Sequence, residues 1–185
     1  MNRVNSRHSL WRRRYNAFAK SNDGATAVEF ALIALPFFIM IFGLIEIAIL
    51  FLFSTTLDHG MAEAARRIRT GELQTQGEID ASDFKEMVCG NLFGLMDCDD
   101  KLSVDVRVFA SFHESDDGAP EPQDEDDEFD DTTLTFAMGS ANDIVMVRVF
   151  YEYTLFTPVM SASLTNMPDG RHLMTSSMVF RNEPF

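Results

Sequence analysis

The sequence is poor in the residues that carry out chemistry. Four histidines, His8, His59, His113 and His172, are scattered along 185 residues. There is no H-E-x-x-H pair, no Cys/His pairing that would activate a nucleophile, no G-x-S-x-G turn and no phosphate loop. These absences argue against an enzyme. Basic charge is short as well, with 15 Lys and Arg against 29 Asp and Glu, a net charge of −14. Such a chain does not suit nucleic acid, whose phosphates require cations. The two cysteines, Cys89 and Cys98, have no histidine near them, so the ligand pattern for zinc is missing. No cofactor and no metal is expected.

What the chain does have is one long apolar run. From Phe30 to Phe53 the only charged residue is Glu46. At about 1.5 Å of rise per residue this stretch makes a helix roughly 36 Å long, enough to span a hydrocarbon core. It is too long for the apolar part of a secretory signal, and no small-x-small cleavage site follows it. The segment is therefore expected to stay in the mature protein.

Charge gives the span a direction. Residues 1–24 sum to +5, and the rest of the chain sums to −19. Short basic flanks remain cytoplasmic, so the amino terminus is read as inside and the acidic bulk as translocated. Trp11, Tyr15 and Phe18, set among arginines, suit the headgroup region. On the translocated side an even cysteine count favours a Cys89–Cys98 disulfide.

Within the span, Ala27, Ala31 and Ala34 form a strip of small residues, and Gly43 adds a close-approach point. Pro36 removes one backbone donor and is expected to kink the helix. Glu46 lies about 24 Å along the helix from Phe30. An ionisable group at that depth implies a polar contact or protonation, or else it snorkels to the interface.

Beyond Phe53 the helix is predicted to continue to about Thr70. Leu57, Met61, Ala64, Ala65 and Ile68 repeat at helical spacing, and Gly71 is a stop. A second helix fits Ser82 to Phe93, capped by Ser82 or Asp80. The period then changes to two. Strands are predicted at Leu102–Phe112, Ile144–Leu155 (the most apolar, and so central) and Leu173–Phe180, with a short edge strand at Thr132–Phe136. Residues 114–131 hold eleven acidic side chains and no basic one, which predicts a mobile loop. Clustered carboxylates can also take calcium, although no spaced D-x-D-x-D-G loop is present.

The fold class expected is α+β. A long amino-terminal helix, part transmembrane and part amphipathic, carries a small carboxyl-terminal antiparallel-sheet domain. The divisions are a basic cytosolic leader (1–24), the transmembrane and stalk helix (25–70), and a periplasmic domain (71–185).

At Gly24-Ala25-Thr26-Ala27-Val28-Glu29-Phe30 the sequence resembles the processing site of type IV prepilin-like proteins. Its continuation through Pro36, with Gly43-Leu44-Ile45-Glu46 and Ala62-x-Ala64-Ala65-Arg66, is similar to the TadE-type pseudopilins of tight-adherence (Flp) pilus systems. The resemblance implies a pilin-like minor pseudopilin in the bacterial inner membrane, with the extracellular pilus as a further location. A prepilin peptidase would cut between Gly24 and Ala25. Glu29, with Phe30 beside it, would be an assembly contact to the amino terminus of an adjacent subunit. The implied partners are that peptidase, other pilins or pseudopilins, the inner-membrane assembly machinery and membrane lipid. The competing expectation is an uncleaved single-pass protein whose acidic periplasmic domain binds a ligand or cation.

Overall fold

The computed structural model describes residues 23–124, 126–157, 160 and 163–185. The readings placed on the basic leader, including Trp11, Tyr15 and Phe18, lie outside the described residues. The chain divides into two compact units, one ending at Leu44 and the other Ile45–Phe185.

Helix α1, Asp23–Arg69, runs 47 residues with Pro36 inside it. It is the one helix among the described residues that is long and apolar enough to cross a membrane. In the first unit its apolar side chains face outward on every side: Phe30, Leu32, Ile33 and Leu35 are all exposed. The second unit takes a different stripe of the same helix. There Leu57, Met61, Ala64, Ala65 and Ile68, the residues at helical spacing, are buried in the core. The helix stops as its sequence requires: Gly71 takes a left-handed φ of 77°.

A short helix α2, Glu72–Thr75, and then α3, Ala81–Gly90, follow. Asp80 caps α3 in a capping box with Asp83. Phe84, Val88 and Leu92 bury against α1. That close approach depends on Gly60, where a Cβ would lie 2.8 Å from Leu92 Cδ2 and 3.2 Å from the Val88 carbonyl. Cys89 and Cys98 are joined in a disulfide, which ties α3 to the turn before the sheet. Closing so short a loop contributes about 2–3 kcal/mol on the chain-entropy estimate.

Three antiparallel strands, β1 (Leu102–Phe109), β2 (Ile144–Thr154) and β3 (Arg171–Arg181), form one sheet with β2 central. Val104, Val106, Val145, Val147, Val149 and Phe180 point into the core shared with α1. β1 ends three residues earlier than its alternation predicts. Ser111 accepts the Glu114 N–H and so starts a helix, α4 (Phe112–Asp117), at the point where the strand was expected to continue.

One expectation is corrected. Thr132–Phe136 is not an edge strand: Asp131–Thr133 is a 3₁₀ turn, and only a single parallel bridge joins Val106 to Phe136. The acidic segment, expected as a mobile loop, makes contacts among its described residues. Asp130 N donates to Pro122 O and Asp124 N to Glu128 O, closing a small hairpin. Phe129 packs on Phe150 at 5.8 Å, Arg148 holds the Pro120 carbonyl at 2.9 Å, and Arg171 pairs with Glu128 at 2.9 Å. The strands supply the cations and the aromatic surface that the segment itself lacks.

Candidate anchoring, processing and assembly site

Gly24 and Ala25 lie in the first turn of α1, and Glu29 and Phe30 follow in the next turn and a half; all four are exposed. Gly24 is helical, and a Cβ built there would meet nothing within 4 Å. Packing therefore gives no reason for glycine at this position, where alanine would favour the helix by about 1 kcal/mol. Glu29 makes no hydrogen bond or ion pair among the described residues, and Ala25, Thr26, Leu32 and Ile33 are its neighbours on the helix surface.

Glu46 is different. Its side chain is 0% exposed, so it does not snorkel to solvent. Tyr153 Oη donates to Oε1 at 3.0 Å, Phe156 N to Oε1 at 3.3 Å, and Thr157 N to Oε2 at 2.7 Å. The last residues of β2 and the backbone just after it thus converge on one carboxylate of α1. Phe53, two turns further along the helix, meets the rings of Tyr153 and Tyr151 edge-on at 5.5 and 6.3 Å. The sequence marked Glu46 as needing a partner, and Tyr153 was not among the residues singled out. The only local signal for it is a tyrosine near the end of an otherwise apolar strand.

Burial, and after it the hydrogen bond to Glu46, push the Tyr153 phenol up to about 12. Because this value lies above the ordinary range near 10, the stabilisation is complete below about pH 10 and is lost as pH rises toward 12. An ultraviolet titration of tyrosinate should find one phenol ionising late, together with loss of the fold. Tyr153→Phe should remove that late step. If all phenols titrate near their ordinary value in the folded chain, the contact is not made.

A second buried charge lies on the opposite face of the sheet. Asp105 of β1 faces Arg148 of β2 across the strands. Its carboxylate accepts from Arg148 Nη2 at 2.7 Å, Arg107 Nε at 2.9 Å and Thr135 N at 2.8 Å. Burial pushes the Asp105 carboxyl up, but the Arg107, Thr135 and Arg148 hydrogen bonds together outweigh it and hold the group below the usual carboxylate range. Among the described residues no three His, Cys, Asp or Glu side chains are grouped to hold a metal ion.

No curated protein and no solved structure matches the chain. Residues 24–66 do match a family model, that of TadE-like protein, and the match begins at Gly24 and takes in Glu29 and Glu46. Over residues 24–66, within α1, the chain is thus similar to the TadE-like family.

Proposed function

We propose that the chain is a minor pseudopilin, a membrane-anchored structural subunit that is processed after Gly24. The observation that carries this reading is the start of the TadE-like match at Gly24, a glycine the fold does not need. A residue without a side chain allows the extended backbone that a peptidase grips. Orientation follows from charge: the basic flank stays in the cytoplasm and the acidic domain lies in the periplasm. The disulfide is consistent with that oxidising side.

Cleavage would leave a new amino group on Ala25, close to Glu29. An exposed carboxylate on an apolar helix is costly in lipid without a partner. The amino terminus of an adjacent subunit supplies one and sets the register between subunits. In this role the protein performs no reaction and is the substrate of one.

Intact-mass measurement in strains with and without the prepilin peptidase tests the processing step. The expected result is loss of residues 1–24 only where the peptidase is present. An unchanged mass would favour the uncleaved single-pass reading. Glu29→Ala should leave membrane insertion intact and reduce pilus yield several-fold, read from sheared pili. Normal yield would remove the assembly role.

A further inference from the structure

The last turns of α1 and the strand β3 border a cleft of about 290 Å³, with Ala62, Glu63, Arg66 and Arg69 on one side and Met178 and Phe180 on the other. β3 is an edge strand, so no further strand of the sheet closes this cleft. Arg66 and Arg69 are both exposed. Arg66 gives Nε and Nη2 to Glu63, and Arg69 reaches Glu183 only through Nε, at 3.6 Å. Nη1 of Arg66 and both terminal nitrogens of Arg69 donate to no group among the described residues. Arg181, exposed at the end of β3, donates from Nε to the neutral Asn142 carbonyl. Cations therefore outnumber carboxylates here, although the chain as a whole carries −14. Exposed guanidinium groups with spare donors are suited to carboxylates.

The same unit displays carboxylates with the opposite need. In the hairpin of the acidic segment the Asp124 side chain is consumed by the turn itself, accepting from the Asp126 and Glu128 amides at 2.9 and 3.0 Å. Asp126 and Asp127, at the tip, are exposed, and their carboxylates join no hydrogen bond or ion pair among the described residues. The hairpin is fixed at its base: Gln123 Nε2 donates to Asn166 O at 2.9 Å, Glu128 pairs with Arg171, and Phe129 packs on Phe150. Phe150 clusters with Met167 and Leu173, whereas its neighbours Val149 and Tyr151 belong to the core shared with α1. Strand alternation therefore puts the hairpin on one face of the sheet and the cleft, beside α1, on the other. One copy cannot bring its own tip to its own cleft.

We infer that the Asp126–Asp127 tip of one copy docks in the Arg66–Arg69 cleft of a second copy of this chain. Charge selects the occupant: the tip presents carboxylates without cations, and the cleft presents guanidinium donors without enough carboxylates. The two patches differ and lie on opposite faces, so the contact is heterologous and runs head to tail. Each copy offers one tip and one cleft, which suits a subunit that assembles in series. Like net charge on the two copies is screened beyond about 8 Å at physiological salt, while the docked groups lie well inside that distance. The contact goes beyond the function proposed above and does not depend on cleavage after Gly24.

Sedimentation of the full chain in detergent micelles tests this. At ~50 mM salt the parent should associate as its concentration rises, and the association should weaken roughly ten-fold at ~500 mM. Arg66→Gln with Arg69→Gln removes the charge of the cleft, and Asp126→Asn with Asp127→Asn removes that of the tip. Asparagine tolerates the φ of 60° at position 127, and all four side chains are exposed, so both variants should keep the circular dichroism of the parent. Neither variant should associate alone. Mixed in equal amounts they should form pairs that grow no longer, because one supplies an intact tip and the other an intact cleft. A mixture that stays monomeric while the parent associates would overturn the contact, as would a parent that is monomeric at ~50 mM salt. Association retained by both variants alone would also overturn it, and would assign self-association to the anchor helix.

Discussion

Glu46→Ala should destabilise the second unit by about 3–5 kcal/mol, because each donor left unpaired in a buried site costs about 1–3 kcal/mol. Three donors lose their acceptor at once: the Tyr153 hydroxyl and the Phe156 and Thr157 amides. The carboxylate is 0% exposed, so it is bonded by these donors and not by solvent. Glu46→Gln keeps one acceptor oxygen and should cost about 1–2 kcal/mol. Urea unfolding of the full chain in detergent micelles, followed by near-ultraviolet circular dichroism, measures both. If the alanine variant unfolded at the parent's urea concentration, the clamp between α1 and β2 would not be holding the unit together. The membrane anchor should insert normally in either variant, because the residues facing outward in the first unit are unchanged.

The second large effect belongs to Asp105. Removing it strands Arg148, which is 8% exposed, and half-buried Arg107 without their anion. Breaking a buried pair from one side typically costs about 3–5 kcal/mol. Asp105→Ala should therefore unfold well before the parent. It should also loosen both attached segments, Pro120 through Arg148 and Thr135 through its lost acceptor. Replacing the pair together, as Asp105→Leu with Arg148→Met, should recover part of the loss, since no charge is then left buried. A double variant no more stable than Asp105→Ala would show that the cluster does more than neutralise itself.

The pH dependence of this cluster has a definite sign. The Asp105 carboxyl is held below the usual range, so its contribution is complete above about pH 4. It is lost as pH falls further, through the folded value. The charges on Arg148 and Arg107 do not change in that window. Acid unfolding of the parent should therefore show a loss that Asp105→Asn, already without the charge, does not reproduce.

The parts of this structure legible in the sequence are those decided by local pattern. Residues 30–53 announce a span because nothing polar interrupts them except Glu46. Leu57 to Ile68 announce a buried stripe because a helix returns to the same face every three or four residues. The period-two run of β1 and the nearly continuous apolar run of the central strand β2 follow from the same local geometry. β1 was misjudged only at its end, where a serine cap competes with the strand.

Partnership across the chain is another matter. Glu46 advertises a need, but the hydroxyl that meets it lies 107 positions away. Asp105 and Arg148 lie 43 positions apart and become neighbours only through the β1–β2 register. The acidic segment looks self-repelling in isolation, and it is held by Arg148, Arg171 and Phe150, all contributed by strands that follow it. By itself the sequence determined which residues avoid water, and in what periodicity. Only the tertiary structure decided which donor each buried or crowded carboxylate would meet, because that depends on topology and register, which no local window contains.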